Sequence, residues 1–346
     1  MVSKELPIFD EIRGVMVTEP ENEFAGRYVN LADLRLGAKI VHVTDEFFAP
    51  AERMLNPAPA IFTPGKYDDH GKWMDGWETR RKRVEGYDYC ILRLGFPGMI
   101  RGIDIDTTYF TGNFPPGASI DACGCGDDPN ESAEWSTLLA AVPLKGNSHH
   151  LFPIQNDRTW THLRLNLYPD GGVARLRVYG VVQPNFEKKD HGNSVDLAAV
   201  ASGGRLVGCS DQHYGTPLGI IFPGLGLNMA EGWETHRRRE PGNEWALFAL
   251  GHRGHIQRIE LDTTHFKGNY PDRCSIQAAD VAGGSDASLI TQSMFWRLLL
   301  PEKKLEADML HVFTREVIDL GAVTHFRLNV IPDGGINRLR MFGTLT

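Results

Sequence analysis

The chain has 346 residues, 42% of them hydrophobic, with 36 Lys and Arg against 44 Asp and Glu for a formal net charge of −8. That apolar content supports sizeable cores in about two domains and argues against wholesale disorder. The acidic balance, with no basic cluster beyond RRKR at 80–83, argues against nucleic acid or an anionic membrane as main partner, because both reward a concentrated positive field.

Residues 1–29 read as an N-terminal extension without the apolar core of a leader, and no later run approaches the ~18 apolar residues of a membrane span. The expectation is a soluble, cytoplasmic protein. Its five cysteines, at 90, 123, 125, 209 and 274, are odd in number and scattered, which suits reduced thiols better than a disulfide framework. Cys123 and Cys125 are the one close pair, and no second Cys/His pair at zinc spacing accompanies them, so no metal site is expected there.

The most informative feature is an internal duplication. Residues 31–49 align with 197–215, placing Asp45 against Asp211. DGWET at 75–79 returns as EGWET at 231–235, a shift of 156 (231 − 75), and is followed by RRKR in one copy and HRRR in the other. DTTYFTGNFP at 106–115 returns as DTTHFKGNYP at 262–271 in the same register, and THLRLNLYPDGG at 161–172 returns as THFRLNVIPDGG at 324–335. The copies span 30–182 and 196–346, and the polar stretch 183–195 reads as a linker.

Within each copy the apolar period is two, as in 102–106, 162–167 and 175–178, which predicts half-buried strands. PDGG at 169–172 and 332–335 lies between two such strands and predicts an antiparallel hairpin in each copy. Only 45–55 reads as convincingly helical, so the fold class is all-β, with a β-sandwich in each half. Trp135 and Trp296 are expected to fill cores, and Gly112, Pro115, Gly171 and Gly172 to fix turns.

On a strand, residues two apart share a face, so His162, Arg164 and Asn166 project together, as do Asp104 with Asp106 and Arg175 with Arg177. Solvated faces would explain this polarity. Identity between diverged copies singles out Trp77, Glu78, Thr79, Arg81, Asp106, Asn113, Asp170 and Arg175, either as a charged loop beside an aromatic wall or as a buried structural ion pair. GxSxG, HExxH, GxxxxGK[ST] and a strand-associated GxGxxG are all absent from the sequence, so a site would use Asp, Glu, His, Arg and Asn directly.

DGWETRR at 75–81, EGWETHR at 231–237, and the paired DTTxFxGNxP and PDGGxxRxRxxG blocks resemble the allantoicase family over both halves, from about residue 31 to residue 343. The resemblance implies two tandem jelly-roll, galactose-binding-like β-sandwich domains. It also implies a hydrolase converting allantoate and water to ureidoglycolate and urea in purine catabolism, acting on a small molecule as a homo-oligomer. For that substrate, one carboxylate and two ureido arms on a single carbon, a fork-shaped cation and paired donors and acceptors are needed. Arg81, Arg175, Arg237 and Arg338 are candidates for the carboxylate, and Asn113, Asn269, Asp106 and Asp262 for the ureido groups, with Trp77, Thr79 and Trp233 beside them.

Acid–base work falls to Glu78 or Glu234 with Asp106, Asp170 or His162 as partner. No cofactor is demanded by the sequence, although a divalent metal is compatible with the chemistry. Two other readings use the same residues: a tandem carbohydrate-binding module stacking sugars on Tyr109/His265 or Phe114/Tyr270, and a hydrolase of a related ureido compound such as ureidoglycolate.

Overall fold

The computed structural model describes residues 8–10, 15–17, 22–25, 27–184 and 193–346. Most of the N-terminal extension and residues 185–192 of the expected linker lie outside the described residues. Within the extension, Ile8–Asp10 pairs antiparallel with Val15–Val17.

Each repeat is a two-layer β-sandwich built around one strand long enough to serve both layers. In the first repeat this is the 19-residue strand Asp88–Asp106. Its first half pairs with Lys39–Val43 on one side and Thr159–Tyr168 on the other, and the layer continues through Gly117–Cys123 to Ser136–Pro143. Its second half pairs with His149–Pro153 and with Arg175–Val182, which carries Val29–Asn30 at the edge. The strand turns the corner at Gly98, where a Cβ would stand 2.6 Å from the Leu31 side chain. The second repeat reproduces the plan around Glu244–Asp262, with Arg205–Cys209, Val323–Ile331, Arg273–Ala279 and Arg297–Lys304 in one layer. Leu310–Phe313, Arg338–Leu345 and Val195–Asp196 form the other.

The period-two pattern sends Leu92, Ile120, Leu163 and Leu165 inward from one layer to meet Ile103, Ile105, Leu176 and Val178 from the other. In the second repeat Phe248 stacks on Phe326 at 5.1 Å between centroids, at the centre of the equivalent packing. One apolar cluster runs through both repeats, and Arg35 lies over the Phe222 ring at 5.1 Å where they meet.

Four sequence expectations change. PDGG does not close a hairpin: Thr159–Tyr168 and Arg175–Val182 lie on opposite sides of the long strand and both pair with it, so the turn leads from one layer to the other. Of 45–55 only Ala51–Leu55 is helical, and as a 3₁₀ turn, because Ala49 is held in a bridge to Glu78. Trp135 and Trp296 are half-buried on the outer face of their layers, where Arg164 lies over Trp135 and His325 packs edge-on to Trp296. Trp77, Trp160 and Trp233 are the buried indoles. Cys123 and Cys125 are joined in a disulfide, leaving Cys90, Cys209 and Cys274 as free thiols.

Candidate active site

The repeated blocks converge at one end of each sandwich. Strand Trp77–Glu78 pairs with Gly172–Val173, so the block at 75–79 lies against the turn at 169–172. The Gly172 N–H donates to the Asn113 carbonyl at 2.7 Å, and the Gly171 N–H donates to Thr79 Oγ1 at 3.1 Å. Gly172 has no room for a side chain, since a Cβ would come within 2.0 Å of the Phe110 ring. The second repeat has the same ties: Trp233–Glu234 pairs with Gly335–Ile336, Gly335 donates to the Asn269 carbonyl at 2.7 Å, and Gly334 donates to Thr235 Oγ1 at 3.0 Å.

Alternation along a two-residue strand turns tryptophan in and glutamate out. Trp77 and Trp233 are fully buried, with their indole N–H groups donating to the carbonyls of Asp45 and Asp211 at 2.8 and 3.0 Å. They are core posts under the site, and no aromatic wall faces solvent from these positions. Above them Asn113 Nδ2 donates to Glu78 Oε1 at 2.8 Å, and Asn269 Nδ2 donates to Glu234 Oε1 at 2.6 Å.

The surroundings of the two carboxylates differ. Burial raises the Glu78 pKa above its ordinary value, while the Asn113 hydrogen bond and the Lys72 ammonium partly offset that rise. Lys72 comes from a hairpin, Tyr67–Asp68 with Gly71–Lys72, and its Nζ lies 4.5 Å from the Phe62 ring, which packs against Tyr109 at 5.7 Å. In the second repeat Met229 Sδ is 3.8 Å from Asn269 Nδ2, and His265, in the place of Tyr109, has its Nε2 2.8 Å from the Gly226 carbonyl. Tyr109 and His265 both have positive φ, 68° and 74°, fixed by Asn147 and Asp308 carboxamide and carboxylate oxygens that accept their backbone N–H groups. Lys72, Phe62, Asn147 and Asp308 carried no signal in the repeat comparison: the first two belong to a segment without a counterpart, and the others differ between copies.

The structure brings Glu78, Asn113, Thr79 and Asp170 to one end of the first sandwich. Asp170 ties the adjoining backbone, its Oδ2 accepting from the Lys82 N–H at 2.8 Å. Arg81 and Arg237 follow the glutamate strands, exposed and without an ion pair or hydrogen bond to a described residue.

Arg175, only 1% exposed, is a clamp: it donates to the carbonyls of Ala58, Pro59, Asp75 and Ala174 and to Asp75 Oδ2 at 2.6 Å. Arg338 does the same for Glu231 and Asn337, with a looser 3.4 Å contact to Glu231 Oε2. These guanidiniums hold loops over the sheet, and apart from Arg338 Nε, which has no partner among the described residues, their donors face protein oxygens rather than open solvent.

Asp106 lies apart from Glu78's hydrogen bonds. Its Oδ1 accepts from the Thr108 N–H at 2.7 Å and stands 3.7 Å from His149 Nε2, and burial raises its pKa. Asp262 accepts from the Thr264 N–H at 2.8 Å. His162 belongs to the opposite layer's outer face, 1% exposed, with Nε2 3.2 Å from Asp128 and Nδ1 2.9 Å from Thr161 Oγ1; burial lowers its pKa and favours the neutral ring. Among the described residues no group of three or more His, Cys, Asp or Glu is arranged to hold a metal ion, and no helix is long and apolar enough to cross a membrane.

The family profile described as Allantoicase repeat matches twice, at residues 29–183 and 195–346, the two units that carry these converging blocks. The chain belongs to the allantoicase family. A probable allantoicase of Burkholderia mallei is 59% identical over 324 residues, covering 93% of this chain and 96% of the relative. One from Ralstonia nicotianae is 56% identical over 324 residues, with the same coverage. The crystal structure of the Saccharomyces cerevisiae allantoicase aligns with a TM-score of 0.77 at 33% identity, covering 92% of this chain and 95% of that one. Allantoicase membership also fixes the fold class as two tandem jelly-roll sandwiches and the protein class as an enzyme, which sets aside the carbohydrate-binding reading.

Proposed function

We propose that the Glu–Asn pairs at the converging ends of the repeats are where this chain performs the allantoicase reaction, with Glu78 as the general acid. The reaction is the hydrolysis of allantoate to ureidoglycolate and urea in purine catabolism. A water oxygen bonds to the central carbon as the bond from that carbon to one ureido nitrogen breaks; the nitrogen keeps the bonding pair and takes the Glu78 proton, leaving as urea, and the proton the water gives up restores the Glu78 carboxyl. A carboxyl group whose pKa is raised by burial suits the proton delivery, and Asn113 fixes which oxygen faces the substrate. Arg81, exposed and without a partner among the described residues, suits the substrate carboxylate.

The observation that carries this reading is the duplication itself. The three repeated blocks share one structural outcome, a glutamate carboxylate bonded to an asparagine amide over a buried tryptophan, in both copies. The reading assigns the chemistry to protein groups, with a divalent cation as the rival assignment. Urea release from allantoate, with and without chelator, tests both points. Glu78→Gln should lose about 10²–10⁴-fold in kcat, and Glu234→Gln less; a folded Glu78→Gln variant with wild-type turnover would sink the assignment.

We also infer a homo-oligomer in the cytoplasm. Leu225 and Leu227 are 82% and 79% exposed on the loop that leads to Met229 beside the second pair, an apolar rim suited to association. Light scattering that showed only a 38.6 kDa species would count against it, and cell fractionation checks the compartment.

A further inference from the structure

The outer faces of the two sandwiches hold an arginine each at the same register position, with different company. In the first repeat Arg164 lies opposite Asp121, whose Oδ2 accepts from Nη2 at 2.8 Å, and its guanidinium lies over Trp135 at 4.9 Å and Tyr89 at 5.7 Å. In the second repeat Arg327 lies opposite Gln277. Its guanidinium stacks on Trp245 at 4.2 Å, Nε donates to Asn329 Oδ1 at 3.0 Å, and Nη1 donates to Ser293 Oγ at 2.9 Å.

Arg327 is 7% exposed, and Ser293, at the start of the turn Ser293–Phe295 after helix Asp286–Gln292, is fully buried against it. No carboxylate among the described residues lies within ion-pair distance of Arg327, and Nη2 makes no hydrogen bond to any of them. Gln277 offers nothing further: Oε1 accepts from Asn329 Nδ2 at 3.1 Å, while Nε2 donates to the Met294 and Trp296 carbonyls. The acids on adjoining elements are taken, Asp286 by Arg205 at 3.0 Å and Glu244 by Arg238 at 2.6 Å. Burial lowers the Arg327 pKa with no acid offsetting it. With Nε and Nη1 held by neutral partners and no carboxylate opposite, the guanidinium lacks the protein counter-charge that Asp121 supplies in the same frame of the first repeat.

We propose that the second repeat carries a small-anion site at Arg327 Nη2, for a halide or a short carboxylate, which takes the place that Asp121 fills beside Arg164. The site shares no residue with the Glu234–Asn269 pair, so the anion is a structural counter-ion for the second sandwich.

Thermal unfolding of the full chain at constant ionic strength tests this, exchanging sodium gluconate for sodium chloride or sodium formate. The wild-type midpoint should rise by about 3 °C, the size expected for a ligand near ten times its dissociation constant, and the rise should vanish in Gln277→Asp and in Arg327→Met. Asp121→Asn, which leaves Arg164 likewise without a carboxylate, should enlarge the response. A response to chloride alone assigns the halide, and one to formate alone the carboxylate. An equal midpoint shift in the wild type, Gln277→Asp and Arg327→Met would be a general salt effect and would overturn the proposal; so would no shift in the wild type. Arg327→Met keeps the experiment decisive if Gln277→Asp does not fold.

Discussion

Glu78 and Glu234 occupy the same place in the same motif on the same fold, yet they sit in unlike surroundings. The glutamate, its asparagine donor and the buried indole below are common to both repeats. What differs is the segment laid over them. Asp45 stands 33 residues before Glu78 and Asp211 only 23 before Glu234, and the longer stretch folds into the hairpin that brings Lys72 and Phe62 to the first site. Duplication has preserved the floor and changed the cover, and in the first repeat burial raises the Glu78 pKa while Lys72 from the cover opposes that rise. The same lesson holds on the outer faces, where Asp121 opposite Arg164 becomes Gln277 opposite Arg327.

The largest difference should come from the clamps. Arg175→Met removes every tie between the 1%-exposed guanidinium and the loop oxygens and leaves the largely buried Asp75 carboxylate without its cation, its Oδ2 keeping only the Ile61 N–H among the described residues. Breaking such a pair costs about 3–5 kcal/mol. Arg338→Met should cost less, since its contact to Glu231 Oε2 is 3.4 Å and its Nε is already without a partner among the described residues. Urea denaturation of both variants measures this, and equal losses would mean that the two clamps are interchangeable.

These clamps also mark where the sequence was legible and where it was not. Runs such as 162–167 did report Leu163, Leu165 and Leu167 as core, because alternation is a local property that the sandwich only has to accept, but His162 and Asn166 on the opposite face are buried as well. Arg175 and Arg177 alternate with apolar residues just as a solvated face would. Their burial depends on the loop at 56–59, distant in sequence, folding across them. The PDGG turn misled for a similar reason: local turn chemistry is real, but the long strand enters between the two strands it joins. Identity between copies singled out Glu78, Asn113 and their counterparts, which the fold brings into hydrogen-bond contact. It missed Lys72, since an insertion has nothing to be identical to.

A smaller effect should follow from Lys72→Met. The ammonium lowers the Glu78 pKa against the rise from burial, so removing it moves that pKa further up. An acid works while protonated, so the fall in kcat/KM with rising pH should shift to higher pH in the variant. The loss of a cation beside an anionic substrate should cost roughly threefold to tenfold in kcat/KM near neutrality. A pH profile that keeps its wild-type limb would separate Lys72 from Glu78 and remove the main functional distinction between the two ends.

The smallest effect concerns His162 and His325, both lowered from 6.5 chiefly by burial. Above 6.5 neither contributes to pH dependence. As pH falls below that value the unfolded chain binds the proton first, so stability declines until the folded-state pKa is reached. Asp128, 3.2 Å from His162, offsets part of the burial, whereas Arg205 beside His325 adds to it and Asp286 opposes it more weakly. His325→Gln should therefore flatten the stability curve between pH 6.5 and 5 more than His162→Gln does, as read from urea midpoints across that range. Equal flattening would mean that Asp128, whose side chain is 46% exposed, is too well solvated to favour its histidine.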